Sequence, residues 1–224
     1  MPDEAAIAAS LLAELPPALR ERMLADALGV DLPGGSTIYH GEDDPRCILV
    51  VSGLIRVMLL APDGRTVTVR YARAGEMLGV PTIVGGPAAV SAQLVTASRL
   101  LLLNVPTIRQ LADTEPSVAW MMTREVTRRL YATLDATADN AFGSLRQRVA
   151  RHLLDLATGE HDGKLIAPVT QQALAEAVGS ARPAVARVVA ELRDLGLVVT
   201  VSRGIAILDA EGLHAQTWSA VSPE

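Results

Sequence analysis

Apolar residues near the N terminus lie three or four positions apart, first from Ile7 to Leu12 and again from Leu19 to Leu28. This spacing places them on one face of a helix. Because Pro16 and Pro17 stand between the two groups, the pattern predicts two short helices.

From Leu32 to about Val105 the chain consists of short aliphatic and β-branched runs separated by turn residues. The runs are Cys47–Val51, Leu54–Leu60, Thr66–Tyr71, Val90–Ala97 and Leu100–Val105. Pro62-Asp63-Gly64 between two of them is a hairpin signal. Many short strands at this spacing predict a β-sandwich or β-barrel.

A long helix is predicted from Pro116 to Asn140, because no glycine or proline follows the first residue. A stripe of small and apolar residues recurs along it every three or four positions: Ala119, Met122, Val126, Leu130, Thr133, Thr137 and Ala141. Such a stripe can face either a barrel or a partner helix. We interpret it as a dimer seam, with a core-packing face as the alternative.

The last third of the chain has the spacing of a helix-turn-helix. A helix from Ser144 to about Thr158 and a turn through His161–Gly163 are predicted first. Thr170 is suited to cap the next helix, Gly179 ends it, and Pro183 falls in the first turn of a further helix. Two helices joined by a tight glycine-containing turn form this motif.

The second of these helices has the chemistry of a DNA-reading helix. Arg182, Ala184 and Arg187 fall on its outer, N-terminal part, which such a helix presents to base edges. An arginine can donate two hydrogen bonds to guanine. Thr170 and Gln172 are placed to hold phosphates, which sets the register without reading sequence.

Two short β-runs follow, Leu197–Thr200 and Gly204–Leu208, around Val201-Ser202-Arg203. They predict a wing whose tip contacts phosphate through Arg203. The C-terminal domain is therefore expected to be a winged helix-turn-helix.

Composition limits the compartment and the class of protein. The formal net charge is −5, half of the residues are hydrophobic, and Cys47 is the single cysteine, which cannot form an internal disulfide. No apolar run approaches the roughly 18 residues that span a bilayer. We expect a cytoplasmic protein without a membrane partner and, since no catalytic or metal-ligand motif is found, a protein that is not an enzyme.

Several motifs together resemble the family of the cyclic-AMP receptor protein and the fumarate-nitrate regulator (CRP/FNR). They are Thr170-Gln171-Gln172, Ser180-Ala181-Arg182, Arg187, Arg128-Arg129-Leu130 and Gly75-Glu76. The resemblance covers about residues 20–213 and adds Gln171 and Ser180 to the expected DNA-binding residues. It implies a homodimer that binds a pseudo-palindromic site in double-stranded DNA, with RNA polymerase as a further partner.

The resemblance also implies an α+β fold with three parts. Residues 1–114 would form a cyclic-nucleotide-binding-like β-barrel, a double-stranded β-helix. Residues 115–141 would form the dimerisation helix and hinge, and residues 142–224 the winged helix-turn-helix.

Two departures from the family pattern concern ligands. Pro183 stands where well-known members carry a glutamate in the recognition helix, so a different half-site is expected. The implied effector site comprises Gly75, Glu76, Val90, Ser91 and Thr133. Where cyclic-AMP binders hold the phosphate with an Arg-Ser or Arg-Thr pair, this chain has Val90-Ser91, so we expect an effector other than cyclic AMP.

Two other functions stay open at this level. A haem or metal gas sensor on the same scaffold would have to use His40 or Cys47, for which a turn position and a strand core position are the alternatives. A cyclic-nucleotide-responsive module could also use its winged helix to bind another protein rather than DNA.

Overall fold

The computed structural model describes residues 2–40, 46–60, 66–161 and 164–217. The chain divides into two compact units. The N-terminal unit comprises residues 1–65 and 69–132, and the C-terminal unit comprises residues 133–224 together with Thr66–Thr68.

Two short α-helices open the N-terminal unit, α1 (Pro2–Ala9) and α2 (Pro17–Leu24), with a 3-10 helix between them at Leu11–Glu14. The hydroxyl of Ser10 caps the 3-10 helix by accepting a hydrogen bond from the backbone N–H of Leu12, 3.2 Å away. The prediction of two helices is confirmed, but its extension to Leu28 is wrong.

Two four-stranded sheets follow, and the described pairings within them are antiparallel. One sheet has the order β1 (Leu28–Leu32), β8 (Ser98–Leu103), β3 (Cys47–Ser52) and β6 (Met77–Leu78). The other has the order β2 (Thr37–His40), β7 (Val90–Leu94), β4 (Ile55–Leu60) and β5 (Thr66–Ala72), and α3 (Val80–Gly85) links β6 to β7. The predicted β-barrel within an α+β fold is confirmed.

Alternation along the strands separates two apolar cores. On β3, Ile48 and Val50 belong to a cluster that draws side chains from both sheets, which is the barrel interior. Cys47, Leu49 and Val51 point the other way and pack with residues of the helices. One sheet therefore has a buried face on each side.

Helix α4 (Val105–Thr114) and the long helix α5 (Pro116–Phe142) complete this unit and lead into the next. The side-chain oxygen of Asn104 caps α4 by accepting from the backbone N–H of Thr107 at 2.9 Å. Val105 is thus helical, and its assignment to a strand is wrong. The long helix is confirmed.

Some strand and turn boundaries differ from expectation. The run predicted to reach Ala97 ends at Leu94, and β8 begins at Ser98. His40 is the last residue of β2, paired with Ser91, so the turn interpretation of His40 is wrong. The predicted hairpin turn at Pro62-Asp63-Gly64 lies outside the described residues.

Within its described residues, the C-terminal unit contains the end of α5, four further helices and four strands. They are α6 (Leu145–Leu156), β9 (Thr158–His161), β10 (Lys164–Ala167), α7 (Gln171–Ala177), α8 (Arg182–Asp194), β11 (Val198–Val201), β12 (Gly204–Ile207) and α9 (Ala210–His214). The strands pair antiparallel in the order β11-β12-β10-β9. The predicted helix to Thr158 is therefore two residues too long.

His161 ends β9 rather than forming part of a turn, and Asp162-Gly163 lies outside the described residues. Helix α6 begins with a reciprocal cap: the Ser144 hydroxyl accepts from the Gln147 N–H, and the Gln147 side chain accepts from the Ser144 N–H. Its buried face packs into the core of the unit through Val149 and Leu153.

Candidate functional site

The helix-turn-helix forms as its residues predict. The hydroxyl oxygen of Thr170 accepts a hydrogen bond from the N–H of Ala173 at 3.1 Å, which caps α7. Gly179 then takes a left-handed conformation with φ +63°. The N–H of Ser180 returns to the carbonyl of Ala175 at 2.9 Å, so the turn is closed before α8 starts.

Helix α8 separates an apolar face from a basic one. Its buried residues lie at helical spacing: Val185, Val188, Val189 and Leu192. On the other face Arg182 and Arg187 are exposed and Ala184 is half-buried. Neither arginine forms an ion pair within the described ranges, so both guanidinium groups are open to a ligand.

The remaining predicted DNA-binding residues surround this helix within the same unit. Gln171 and Ser180 are half-buried, while Gln172 is exposed and its side-chain amide donates to Glu176 at 2.9 Å. Arg203 is exposed in the turn between β11 and β12, and the described residues provide no ion-pair partner for it. The expected wing is therefore present, with a cation at its tip.

Gly204 determines where the wing packs. Its φ is +141°, and a Cβ built on it would lie 2.1 Å from the carbonyl oxygen of Ala167. Only a residue without a side chain permits this approach of β12 to the end of β10.

In the N-terminal unit, Val90 packs against the barrel interior from the start of β7. The next residue, Ser91, is buried, and its hydroxyl donates to the carbonyl of Tyr39 at 3.2 Å. An uncharged side chain therefore occupies the position where the resemblance implies a phosphate-binding arginine.

Gly75 and Glu76 lie in the turn between β5 and β6, and β6 belongs to the sheet that lacks β7. A Cβ on Gly75, whose φ is +84°, would lie 2.9 Å from the Cβ of Ala9, so the glycine accommodates α1. The Glu76 carboxylate is engaged as well: the same oxygen is 2.7 Å from Arg70 Nη1 and 3.0 Å from Arg129 Nη2. Of the residues expected to bind effector, Gly75 and Glu76 thus lie in a turn, Val90 and Ser91 on β7, and Thr133 on α5.

A second carboxylate extends this ion cluster along α5. Glu125 is 1% exposed, and its two oxygens lie 2.6 Å from Arg129 Nε and 2.7 Å from Arg128 Nη2. We call Arg70, Glu76, Glu125, Arg128 and Arg129 the ion cluster. It joins the turn after β5 to the long helix.

Burial and, to a smaller extent, the neighbouring Arg129 lower the pKa of Arg70 to about 10, while Glu76 and Glu125 oppose the shift. The guanidinium stays charged at neutral pH. The spacing of Glu125, Arg128 and Arg129 on one helix is visible in the sequence. The participation of Arg70 and Glu76 depends on the fold, and sequence reasoning missed Arg70 and Glu125.

The predicted dimer stripe is exposed along part of its length. Val126 and Leu130 are 36% and 56% exposed, Thr133 and Thr137 are exposed, and Ala119 is half-buried. The side chain of Ala141 lies outside the description. Further large exposed residues widen this apolar face: Trp120, Tyr131, Leu134 and Phe142.

Met122 does not belong to this face. It is 5% exposed and packs within the protomer's own core, together with Val118 and Met121. Its side chain is thus buried against the barrel and the N-terminal helices, and the proposed seam relies on the exposed residues of the stripe.

Cys47 faces the helices rather than the barrel interior and is 1% exposed. Burial raises the pKa of its thiol to about 12, and the charge of Glu125 contributes. Because a metal binds the thiolate form, this environment disfavours ligation by Cys47. As for membranes, the helices in the described ranges are all too short or too polar to cross one.

Comparisons with known proteins match each of the two units to a known domain model. Residues 30–115 match the model of the cyclic nucleotide-binding domain, and residues 147–216 match that of the Crp-like helix-turn-helix domain. A CRP-like cAMP-activated global transcriptional regulator of Mycobacterium tuberculosis is 29% identical over 82% of this chain and 85% of its own length. The transcriptional regulator LdrP of Thermus thermophilus is 28% identical over 83% of this chain and 94% of its own.

Solved structures agree with this assignment. A CRP/FNR-family transcriptional regulator from Thermus thermophilus superimposes with a TM-score of 0.70 and 27% identity, over 84% of this chain and 97% of that one.

Proposed function

Because the chain belongs to the CRP/FNR family of transcription regulators, we propose that it is a homodimer that reads a pseudo-palindromic DNA site under the control of a small molecule held in its barrel. The observation that carries this proposal is the basic face of α8, where Arg182 and Arg187 are exposed and unpaired at the end of a capped helix-turn-helix.

Sequence is read in this proposal by Arg182 and Arg187, each through two hydrogen bonds to guanine O6 and N7. Ala184 between them offers an apolar contact to a thymine methyl. Thr170, Gln171, Gln172 and Ser180 hold backbone phosphates around the helix, and Arg203 does so from the wing. These contacts fix the register of the helix in the major groove.

The dimer is supported by the apolar face of α5. Leu130 and Leu134 are each more than half exposed in the protomer, and large exposed apolar patches on soluble proteins mark interaction sites. Pairing of two such helices about a twofold axis would set two copies of α8 against two half-sites.

Effector control would act through the ion cluster. The cluster ties the turn at Glu76 to Arg129, and Thr133 follows one helical turn later on α5. A molecule that binds the barrel in one arrangement of this helix better than in another shifts the DNA affinity, and couplings of about 1–3 kcal/mol give roughly 5- to 150-fold effects.

The Mycobacterium tuberculosis relative is activated by cyclic AMP. In this chain Val90 stands where the resemblance implies the phosphate-binding arginine, and Arg70 is bound to Glu76. We therefore propose a different effector. RNA polymerase as a partner and a cytoplasmic location belong to the same proposal.

Selection of bound sequences from a random duplex library, with and without cyclic AMP, tests this function. We expect a palindromic motif under both conditions and an affinity that falls steeply with salt. Recovery only with cyclic AMP would overturn the effector proposal. Recovery of no motif, with weak and salt-independent DNA binding, would favour the protein-binding alternative.

A further inference from the structure

The barrel interior contains a hydroxyl group without a hydrogen-bond partner. Tyr39 is 7% exposed and belongs to the interior cluster, and its phenolic oxygen is buried with no hydrogen-bond partner among the described residues. Its backbone carbonyl accepts from the Ser91 hydroxyl. The unmet polar atom of its side chain is the phenolic oxygen.

A register shift in β2 explains why this tyrosine lies in an apolar interior. The pairing of β2 with β7 shifts between Thr37 and Tyr39, and the consecutive residues Ile38 and Tyr39 both join the interior cluster. The cross-strand neighbour of Tyr39 is Ala92, whose methyl side chain occupies little space beside the ring.

The surroundings define what could satisfy the hydroxyl. Apolar side chains from both sheets form the cluster around it, including Ile55, Leu94 and Leu100. The members of this interior cluster are uncharged, so a charged ligand among them would lose its hydration without a charged side chain of the cluster to replace it.

Resting on the function proposed above, we propose that the barrel binds an uncharged, largely apolar small molecule that carries a hydrogen-bond acceptor for the Tyr39 hydroxyl. Burial of an unpaired hydroxyl costs free energy in the empty protein. Binding of such a molecule removes that cost, so the hydroxyl selects for the acceptor while the interior selects against charge.

Two naphthalenes of the same shape test this directly on the full chain. 2-Acetylnaphthalene carries one carbonyl acceptor, and 2-ethylnaphthalene carries none. We expect the ketone to bind the wild type about three- to tenfold more tightly than the hydrocarbon, and Tyr39→Phe to bind both equally. Tyr71→Phe removes a hydroxyl from a tyrosine of β5 that does not belong to the interior cluster, and it should keep the preference.

The chain has three tyrosines, so labelling their ring Cζ carbons with ¹³C gives three resonances that the two variants assign. The ketone should shift the Tyr39 resonance of the wild type. This measurement reports contact between the ketone and Tyr39 even if Tyr39→Phe folds poorly. An unmoved resonance, a ketone preference that persists in Tyr39→Phe, or tighter binding of cyclic AMP than of the ketone would overturn the inference.

The library selection separates this inference from the function on which it rests. A wild-type protein that recovers a palindromic motif but fails the ketone test remains a DNA regulator with a different ligand. Failure of both measurements would remove the proposed function as well.

Discussion

The exposed arginines of α8 and of the wing differ in what they are expected to read. We predict that Arg182→Ala and Arg187→Ala each weaken binding to the selected site by about 10- to 100-fold and relax the preference at one base position, because each removes a bidentate guanine contact. Arg203→Ala should weaken all duplexes alike and reduce the salt dependence by about one phosphate contact. Binding titrations at several salt concentrations measure both effects.

Arg193→Ala is the matched control, since Arg193 lies in the last turn of α8 and already contacts Asp194 at 3.3 Å. Its DNA affinity should stay near that of the wild type. An equal loss for Arg193→Ala and Arg187→Ala would mean that general charge, rather than base contact, governs binding.

Burial of Cys47 predicts a specific loss of stability at alkaline pH. Its pKa rises from 9.0 to about 12 on folding, so between these values the folded chain holds a proton that the unfolded chain has lost. Stability therefore falls with rising pH, by up to about 1.4 kcal/mol per unit. Urea unfolding between pH 8.5 and 10 should show a steeper decline for the wild type than for Cys47→Ala.

The pH range of this measurement stops at pH 10, because above it the lowered pKa of Arg70 changes stability in the opposite direction. Above pH 10 the unfolded chain keeps the Arg70 proton that the folded chain has lost, so the contribution of Arg70 to stability rises with pH. Equal slopes for the two proteins below pH 10, or rapid alkylation of the native thiol, would contradict the predicted burial of Cys47.

The ion cluster connects the barrel to the long helix α5, and we expect the stability of the protein to depend strongly on its buried member Glu125. We expect Glu125→Ala to lower the free energy of unfolding by about 3 kcal/mol, because it leaves the largely buried Arg129 without one of its two carboxylates. Chemical denaturation measures the change. Glu14→Ala breaks the exposed ion pair between Glu14 of the 3-10 helix and Arg124, which lies on α5 beside Glu125. This change should lower the free energy of unfolding by less than about 1 kcal/mol.

Similar losses of unfolding free energy for Glu125→Ala and Glu14→Ala would mean that the ion cluster is solvated. Such a cluster could not transmit strain from the barrel to α5. A large loss for Glu125→Ala alone would agree with the cluster as a rigid connection between these elements.

Elements whose residues carry local signals could be predicted from the sequence, whereas short or ambiguous strands that depend on their pairing could not. The caps at Thr170 and Ser144, the turn at Gly179 and the uninterrupted α5 are all visible locally. By contrast, β6 is two residues long and exists through its pairing with β3, while Leu28 continues a helical spacing and yet pairs with Leu102.

The same division holds for the candidate site. The residues proposed to read DNA lie within one continuous segment, so their spacing was enough to propose them from the sequence. The proposed effector residues come from a turn, from β7 and from α5. Their partners are distant in sequence: Arg129 meets Glu76, and Ser91 meets the carbonyl of Tyr39. No local pattern indicates that Glu76 is already paired or that the Tyr39 hydroxyl is not.

For the whole molecule, the apolar face of α5 connects assembly with DNA binding. A protomer presents one α8, whereas a pseudo-palindromic site offers two half-sites, and linking two binding events raises the overall affinity far above that of either. If α5 forms the seam, loss of the dimer must also reduce operator affinity. Both properties should then respond to the same substitutions.

We predict that Leu130→Glu combined with Leu134→Glu gives a folded monomer with at least about 100-fold weaker operator binding, because charges replace two exposed leucines at the seam and the gain from linking two sites is lost. Sedimentation measures the mass, and titration with full and half operators measures the affinity. Leu59→Glu, at a leucine of the barrel strand β4 that is 49% exposed, should leave both unchanged. A double variant that stays dimeric would move the interface away from α5, whereas a monomer that binds the full operator as tightly as the wild type would separate assembly from recognition.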